Sequence, residues 1–288
     1  MHGYDLLKHI NNNFDDLPVI VMTAFSDMQA AVESFGGGAF EYLPKPFDLE
    51  EATNIIERAF EEKPKTKSLR TESKVDIIGE SKSMQDVFRS IGKLSSTIAT
   101  VLIQGESGTG KELIAKSLHK NSPRSDMPFI ALNMADIPKE LVESELFGHE
   151  KGAFTGALKQ HKGLFEESNS GTLLLDEISE MPLSLQAKLL RALENKSIQK
   201  VGGGKEIPLD LRMVCATHQD LEKKVSDGTF RADLYYRINV FPINVPTLSE
   251  RNDDIPILVE HIIEEMKGYG AQIPKFDNSA LKALKEYI

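Results

Sequence analysis

Apolar positions in residues 1–62 fall first at helical spacing, then in an unbroken run, then at helical spacing again. YDLLKHI puts Leu6, Leu7 and Ile10 on one helical face. LPVIVMT (17–23) is apolar throughout, which predicts a strand buried on both faces of a parallel sheet. DMQAAVESF has helical spacing and meets Gly36–Gly38, a region suited to a C-cap. AFEYLPKP predicts a second strand and DLEEATNIIERAFEE a helix, whose Asp48 and Glu51 have capping-box spacing with Asp in the Ser/Thr place. Two parallel strands alone do not make a stable sheet, and LPVIVMT would have an open edge and an uncovered face. Residues 1–62 are therefore expected to be loosely held or self-associating.

KPKTKSLRTESKV (63–75) has no aromatic residue, is mostly polar and charged, and predicts a linker. A larger α/β region follows over 76–246, with strands expected at TVLIQ, PFIALN, GTLLLDE and LRMVCAT and a helix at SLQAKLLRALEN. Strands alternating with helices predict right-handed crossovers and a parallel wound sheet. Residues 247–288 have only helical patterns, ERNDDIPILVEHIIEEMKGYG and DNSALKALKEYI, and are expected to form a small helical subdomain.

Candidate chemistry sharpens this outline. VLIQGESGTGKELIAKSLH is strand, glycine loop and helix, with Gly105, Gly110 and Lys111 in the pattern G-x-x-x-x-G-K. Such a loop points successive backbone N–H groups at phosphate oxygens, with the helix N-terminus and a mobile lysine charge behind them. The general pattern has Ser or Thr after the lysine, where this chain has Glu112. GTLLLDEIS delivers Asp176 and Glu177 at the carboxyl end of a buried strand, where wound sheets bind ligands. Nucleotide hydrolysis needs one carboxylate for Mg²⁺ and a second group to orient or deprotonate water. Adjacent acids on a strand point to opposite sides, so the two suit different tasks. Taken alone, this acid pair also suits a helix N-cap. FRADLYYRINV holds Arg231 and Arg237, which suit either γ-phosphate contacts or ordinary surface ion pairs. EKGAFTGALK sets Phe154 between glycines, with no neighbour in sequence that would bury its ring.

Composition narrows the setting. Lys plus Arg number 34 against 44 Asp plus Glu, a formal charge of −10, which argues against a dedicated nucleic-acid surface. The one cysteine, Cys215, lies in an apolar run and is expected in a buried strand of a cytoplasmic protein. No run approaches the ~18 apolar residues of a membrane span.

Together GESGTGKE, ELFGHEKGAFTGA, GTLLLDEI, ATHQDL and FRADLYYRINV resemble the AAA+ ATPase domain of bacterial sigma-54-dependent transcriptional activators, in order and spacing, over about 77–288. MTAFSD and FEYLPKPF resemble the second half of a flavodoxin-like response-regulator receiver, and the combination is most similar to the nitrogen-regulation, NtrC-like type. The resemblance implies that Gly105, Glu106, Ser107, Gly108, Thr109, Gly110, Lys111 and Glu112 wrap ATP, with Ile78 and Gly79 beside the adenine. It implies Mg²⁺ on Asp176, water activation by Glu177, restraint of that glutamate by Asn133, and a sensor position at His218. Arg231 and Arg237 become fingers on a neighbouring subunit's ATP, which implies a ring, in the family a hexamer. Gly152, Ala153, Phe154, Thr155, Gly156 and Ala157 become the loop that touches sigma-54 in the RNA polymerase holoenzyme. Thr23, Tyr42 and Lys45 resemble the receiver's switch hydroxyl, switch aromatic and acyl-phosphate lysine.

The chain departs from the family at both ends. No aspartate stands at the phosphoacceptor place, since Asp5, Asp15 and Asp16 lie elsewhere. The chain stops at EYI, before the segment with the sensor II arginine and before the helix-turn-helix that reads DNA. Expected function is therefore that of an ATP-hydrolysing activator module, truncated at both ends. A remnant that binds nucleotide or sigma-54 without turnover is the alternative, and an AAA+ protein acting on another substrate is a third reading.

Overall fold

The computed structural model of the protein describes residues 3–14, 17–24, 27–61, 77–268 and 278–287. The expected linker at 63–75 lies outside the described residues, as do Asp15 and Asp16. The chain forms two compact units, Met1–Ser96 with Pro246–Ile288, and Thr97–Val245.

In the first unit α1 (Gly3–Asn13), β1 (Ile20–Thr23), α2 (Met28–Gly36), β2 (Glu41–Pro44) and α3 (Leu49–Glu61) alternate as the pattern predicts. Asp27 caps α2 by accepting the Ala30 N–H at 2.7 Å, and Gly37 closes it by donating its N–H to Glu33 O at 2.8 Å. β1 and β2 pair in parallel, Ile20 opposite Glu41 and Thr23 opposite Pro44. The expectation of a strand buried on both faces fails here. Met22 is 57% exposed, the rest of β1 is half-buried, and no third strand joins the pair among the described residues. An apolar run states what a strand is able to bury, whereas neighbours on each face decide what it does bury.

The pair does not stand alone, which corrects the premise behind the loosely held region. α2 packs on α4 (Lys82–Ser95), a helix that the sequence pattern assigned to the larger domain. Gly92 permits the approach, because a Cβ there would sit 2.5 Å from Phe35 Cδ2 and 3.1 Å from Ala31 O. Charges stitch the same seam. Glu41 is 2% exposed and accepts from Lys93 Nζ at 2.6 Å, with Arg58 at 3.6 Å. Arg89 reaches Glu51 at 2.5 Å. The capping box is thus half formed: Asp48 accepts the Glu51 N–H at 2.6 Å, while Arg89 takes the Glu51 carboxylate. Buried Asp254 accepts the Glu80 N–H at 2.7 Å, the Ser81 N–H at 2.8 Å and the Ser81 hydroxyl at 2.7 Å, anchoring the start of α4. Helices over Ile255–Gly268 and Asn278–Glu286 follow, in keeping with the helical tail.

The second unit opens with β3 (Val101–Gln104), α5 (Lys111–Lys120), β4 (Phe129–Asn133), α6 (Lys139–Phe147) and β5 (Gly148–His149). It continues through β6 (His161–Lys162), α7 (Leu164–Glu167), β7 (Thr172–Asp176), α8 (Leu183–Asn195), β8 (Ser197–Gln199) and β9 (Glu206–Pro208). β10 (Arg212–Thr217), α9 (Leu221–Ser226), α10 (Ala232–Ile238) and β11 (Phe241–Asn244) complete it. One parallel sheet has the order β11-β3-β10-β7-β4. The four expected strands are present. β11 is an addition that FPIN did not announce, since Pro242 argues against a strand; at the sheet edge the proline is tolerated. β3, β7 and β10 are the buried runs the pattern predicts, with Val101–Ile103, Leu173–Leu175 and Val214–Ala216 all at 0% exposure. Burial pushes the Cys215 thiol up to about 12. Parallel winding leaves the carboxyl ends of these strands on one edge, where Gln104 sits opposite Thr217 and Asn133 opposite Asp176.

Candidate functional site

Beyond Gln104 the chain turns into the glycine loop. Gly105 is pressed against its surroundings, since a Cβ would lie 2.9 Å from Val245 O and 3.0 Å from Thr109 Oγ1. Gly108 and Gly110 have φ of +79° and +96°, left-handed backbone that side chains rarely adopt. Space above Gly108 is open to 4 Å, and Glu106, Ser107 and Gly108 are exposed. Thr109 closes the turn by donating its hydroxyl to Glu106 O at 2.9 Å. α5 begins at once, so its first-turn N–H groups face the loop. Lys111 is 7% exposed and donates Nζ to Gly105 O at 2.9 Å and Glu106 O at 3.0 Å, folding a positive charge into the concavity. Glu112 points elsewhere, to Lys116 at 2.7 Å.

The acid pair is arranged by a turn and not by strand pleating, which corrects the alternation argument. Asp176 ends β7; Glu177 has already left the strand with φ +53°, left-handed for a non-glycine residue, and caps the short turn Ile178–Glu180. Such backbone is costly and is held by its surroundings. Burial raises the Asp176 carboxyl above the ordinary aspartate range, opposed by the Glu177 N–H that its Oδ1 accepts at 2.9 Å. Glu177 bridges two cations or donors: Oε1 lies 3.9 Å from Lys111 Nζ, and Oε2 lies 2.7 Å from His218 Nδ1.

His218 therefore meets Glu177, while the side-chain hydrogen bond of Asn133 among the described residues lies within its own turn. Asn133 spends its Oδ1 on the Ala135 N–H at 2.9 Å, capping the turn Met134–Asp136. An asparagine that ends a strand is a good cap, and this bond uses only its acceptor, leaving the Nδ2 hydrogens for a carboxylate. A second tie was not foreseen: Gln219 Nε2 donates to Glu180 Oε1 at 2.7 Å, beside the His218 contact. The only signal for it in sequence is the polar HQD that follows the β10 run.

The arginines lie apart from each other in role. Arg231 forks onto Asp233, with Nε at 3.0 Å and Nη2 at 2.7 Å, and its guanidinium is solvent-facing. Arg237 lies in the last turn of α10 and donates to Leu193 O at 3.0 Å. It lines a cavity of about 280 Å³ with Thr100, Leu211, Met213 and Val240, residues at or near the amino ends of β3, β10 and β11. The glycine loop lies at the carboxyl end, so roughly 13–20 Å of strand separates the two.

The Phe154 loop rises from β5 and β6. Gly152 and Gly156 have φ of +83° and +105°, the Gly152 N–H donates to Ala157 O at 2.9 Å, and Ala157 is buried. Phe154 is 43% exposed, yet its ring has a partner that the sequence did not suggest, His149, at 4.9 Å. Ala153 lies against Gly202, where a Cβ would come within 2.8 Å. Ile78 and Gly79 belong to the first unit, where Gly79 leaves room for Met84, 2.8 Å from a Cβ placed there. In the same unit Thr23 O accepts the Lys45 N–H at 2.7 Å, and Tyr42 is fully buried, with its hydroxyl pKa raised by desolvation.

Set against known families, residues 77–244 match the sigma-54 interaction domain and residues 1–57 the response regulator receiver domain. The chain belongs to the sigma-54 interaction domain family. Its receiver match is consistent with a two-component regulator. Among members of this family, the DNA-binding transcriptional regulator NtrC of Proteus hauseri is 50% identical over 294 residues, covering 100% of this chain and 62% of that protein. NtrC of Escherichia coli (strain K12) is 53% identical over 268 residues, covering 92% of this chain and 57% of the relative. The chain thus spans less than two thirds of the length of these curated relatives. NtrX from Brucella abortus, solved in complex with ATP, is 32% identical with a TM-score of 0.68, covering 99% of this chain and 62% of that one. No helix among the described residues is long and apolar enough to cross a membrane.

Proposed function

We propose that this chain binds ATP on Gly105–Glu112, hydrolyses it through Glu177, and uses the cycle to drive the Gly152–Ala157 loop against the sigma-54 RNA polymerase holoenzyme in the cytoplasm. The observation that carries the reading is the meeting of Lys111, Asp176, Glu177 and His218 at one sheet edge, with Lys111 and His218 on opposite oxygens of Glu177. Left-handed glycines, open space over Gly108 and the α5 N-terminus suit a triphosphate, and Lys111 is free to exchange loop carbonyls for phosphate oxygens. Asp176 suits Mg²⁺, because a carboxylate that burial makes costly to ionise gains from a cation beside it. When bound, Mg²⁺ supplies neutralisation of charge on the phosphates. Glu177 orients and deprotonates water, with one oxygen held by His218.

Arg231 and Arg237 act on a neighbouring subunit's ATP in a ring, as a hexamer. The place of Arg237 across the sheet from its own glycine loop supports action on a neighbour. Thr23, Tyr42 and Lys45 form the switch face of a receiver through which a phosphorelay acts. Phe154→Ala tests the coupling: ATP hydrolysis is expected to persist while sigma-54 binding is lost. Undiminished sigma-54 binding by Phe154→Ala would refute the loop assignment and favour another substrate. ATP binding without turnover in the unaltered chain would favour the non-hydrolysing remnant.

A further inference from the structure

The loop that carries Phe154 stands on a built stem. β5 and β6 pair antiparallel, with His149 directly opposite His161. Beneath them Gly148 and Gly163 touch so closely that a Cβ on Gly163 would lie 2.3 Å from Gly148 N. Above them Glu150 Oε1 accepts from Gln160 Nε2 at 2.9 Å. Past that bond the backbone turns on Gly152 and Gly156, each with open space to 4 Å where a Cβ would stand. The tip backbone is closed by the Gly152 N–H on Ala157 O at 2.9 Å and the Ala157 N–H on Phe154 O at 3.0 Å, but these bonds do not set the rotamer of the Phe154 side chain, which is 43% exposed.

His149 provides the fixed point. Its ring centroid lies 4.9 Å from that of Phe154 with 65° between planes, the edge-to-face arrangement that aromatic pairs favour. The imidazole is itself held from two sides. Nδ1 lies 2.7 Å from Ser144 Oγ on α6, where Ser144 is 8% exposed. The other side meets the His161 ring at 5.5 Å, and His161 Nε2 lies 3.8 Å from Glu145 Oε2.

We propose that His149 is the positioning residue for Phe154, a seat that holds the ring in one orientation so that it meets its partner already ordered. This rests on reading the Gly152–Ala157 loop as the sigma-54 contact. Ordering a side chain before binding removes that cost from the binding step. One edge-to-face pair contributes modestly, so the effect is several-fold and not all-or-none.

The chain contains no tryptophan, so Phe154→Trp creates a single indole reporter at the loop tip. In the full chain, reporter anisotropy and emission are compared with His149 intact, with His149→Leu and with His149→Phe. Sigma-54 affinity is then measured for the same His149 variants with Phe154 restored. His149→Leu is expected to free the reporter and weaken sigma-54 binding about three- to tenfold. His149→Phe keeps an aromatic seat and is expected to restore both, a rescue that a merely misfolded loop would not give. Equal reporter mobility with His149 intact and in His149→Leu overturns the proposal. So does unchanged sigma-54 affinity in His149→Leu when Phe154→Ala abolishes it. If Phe154→Ala leaves sigma-54 binding intact, the partner reading fails, and a reporter freed by His149→Leu still supports the seat.

Discussion

The two units run the same local plan, parallel strands followed by polar residues at their carboxyl ends, with different burial. β3, β7 and β10 each have strand neighbours on both edges and apolar cores at 0% exposure. Among the described residues β1 has one strand partner, and Met22 is 57% exposed. Similar apolar runs, LPVIVMT and GTLLLDE, thus end in different environments. The first unit recovers order another way, through the close approach of α2 to Gly92 and the Glu41–Lys93 and Glu51–Arg89 pairs. Strand count sets how much a run buries, and helix seams with part-buried ion pairs add contacts where strands are few.

The comparison is open to mutation. The largest effect is expected from Leu174→Ala in the middle of the five-stranded sheet, at about 2–5 kcal/mol of lost stability in denaturant titration. A loss below about 1 kcal/mol would mean that this core is not the stabilising centre. Next comes Gly92→Val, which drives a branched side chain into Phe35 and Ala31 and is expected to cost about 1–3 kcal/mol. Hydrogen exchange should then speed at Ile20–Thr23 while β7 and β10 stay protected; unchanged protection at β1 would show that the α4 seam is dispensable.

Asp176→Asn should act in the opposite direction, raising the melting temperature of the nucleotide-free chain at neutral pH. The folded pKa of Asp176 is raised by burial, so folding favours its protonated form. That contribution is complete below the ordinary aspartate range and is lost as pH rises through the raised value. The advantage of Asn should therefore vanish in acid, and an advantage that persists there would assign it to another cause. The smallest effect is expected from Met22→Ala, within about 0.5 kcal/mol because the side chain is mostly exposed. A larger loss would show that β1 is covered in solution.

Much of this architecture is legible in sequence because it depends on short-range signals. Strand runs, the glycine loop and the helix end at Gly37 follow from burial, φ preference and capping, each visible within a few residues. What escaped depends on where the folded chain places each residue. β11 is a strand because its edge place excuses Pro242. Asn133 caps its own turn through Oδ1, and His149 meets Phe154 only after the loop folds back on its stem. The left-handed turn at Glu177 is likewise invisible, since it runs against residue preference and is held by tertiary contacts.

The central claim, catalysis by Glu177 in an assembled ring, is tested most directly by ATPase rate per subunit against protein concentration, with Glu177→Gln as control. The account predicts a rate that climbs steeply with concentration and falls by about 10²–10⁴ in the control. A rate per subunit independent of concentration, or one that survives Glu177→Gln, would contradict it.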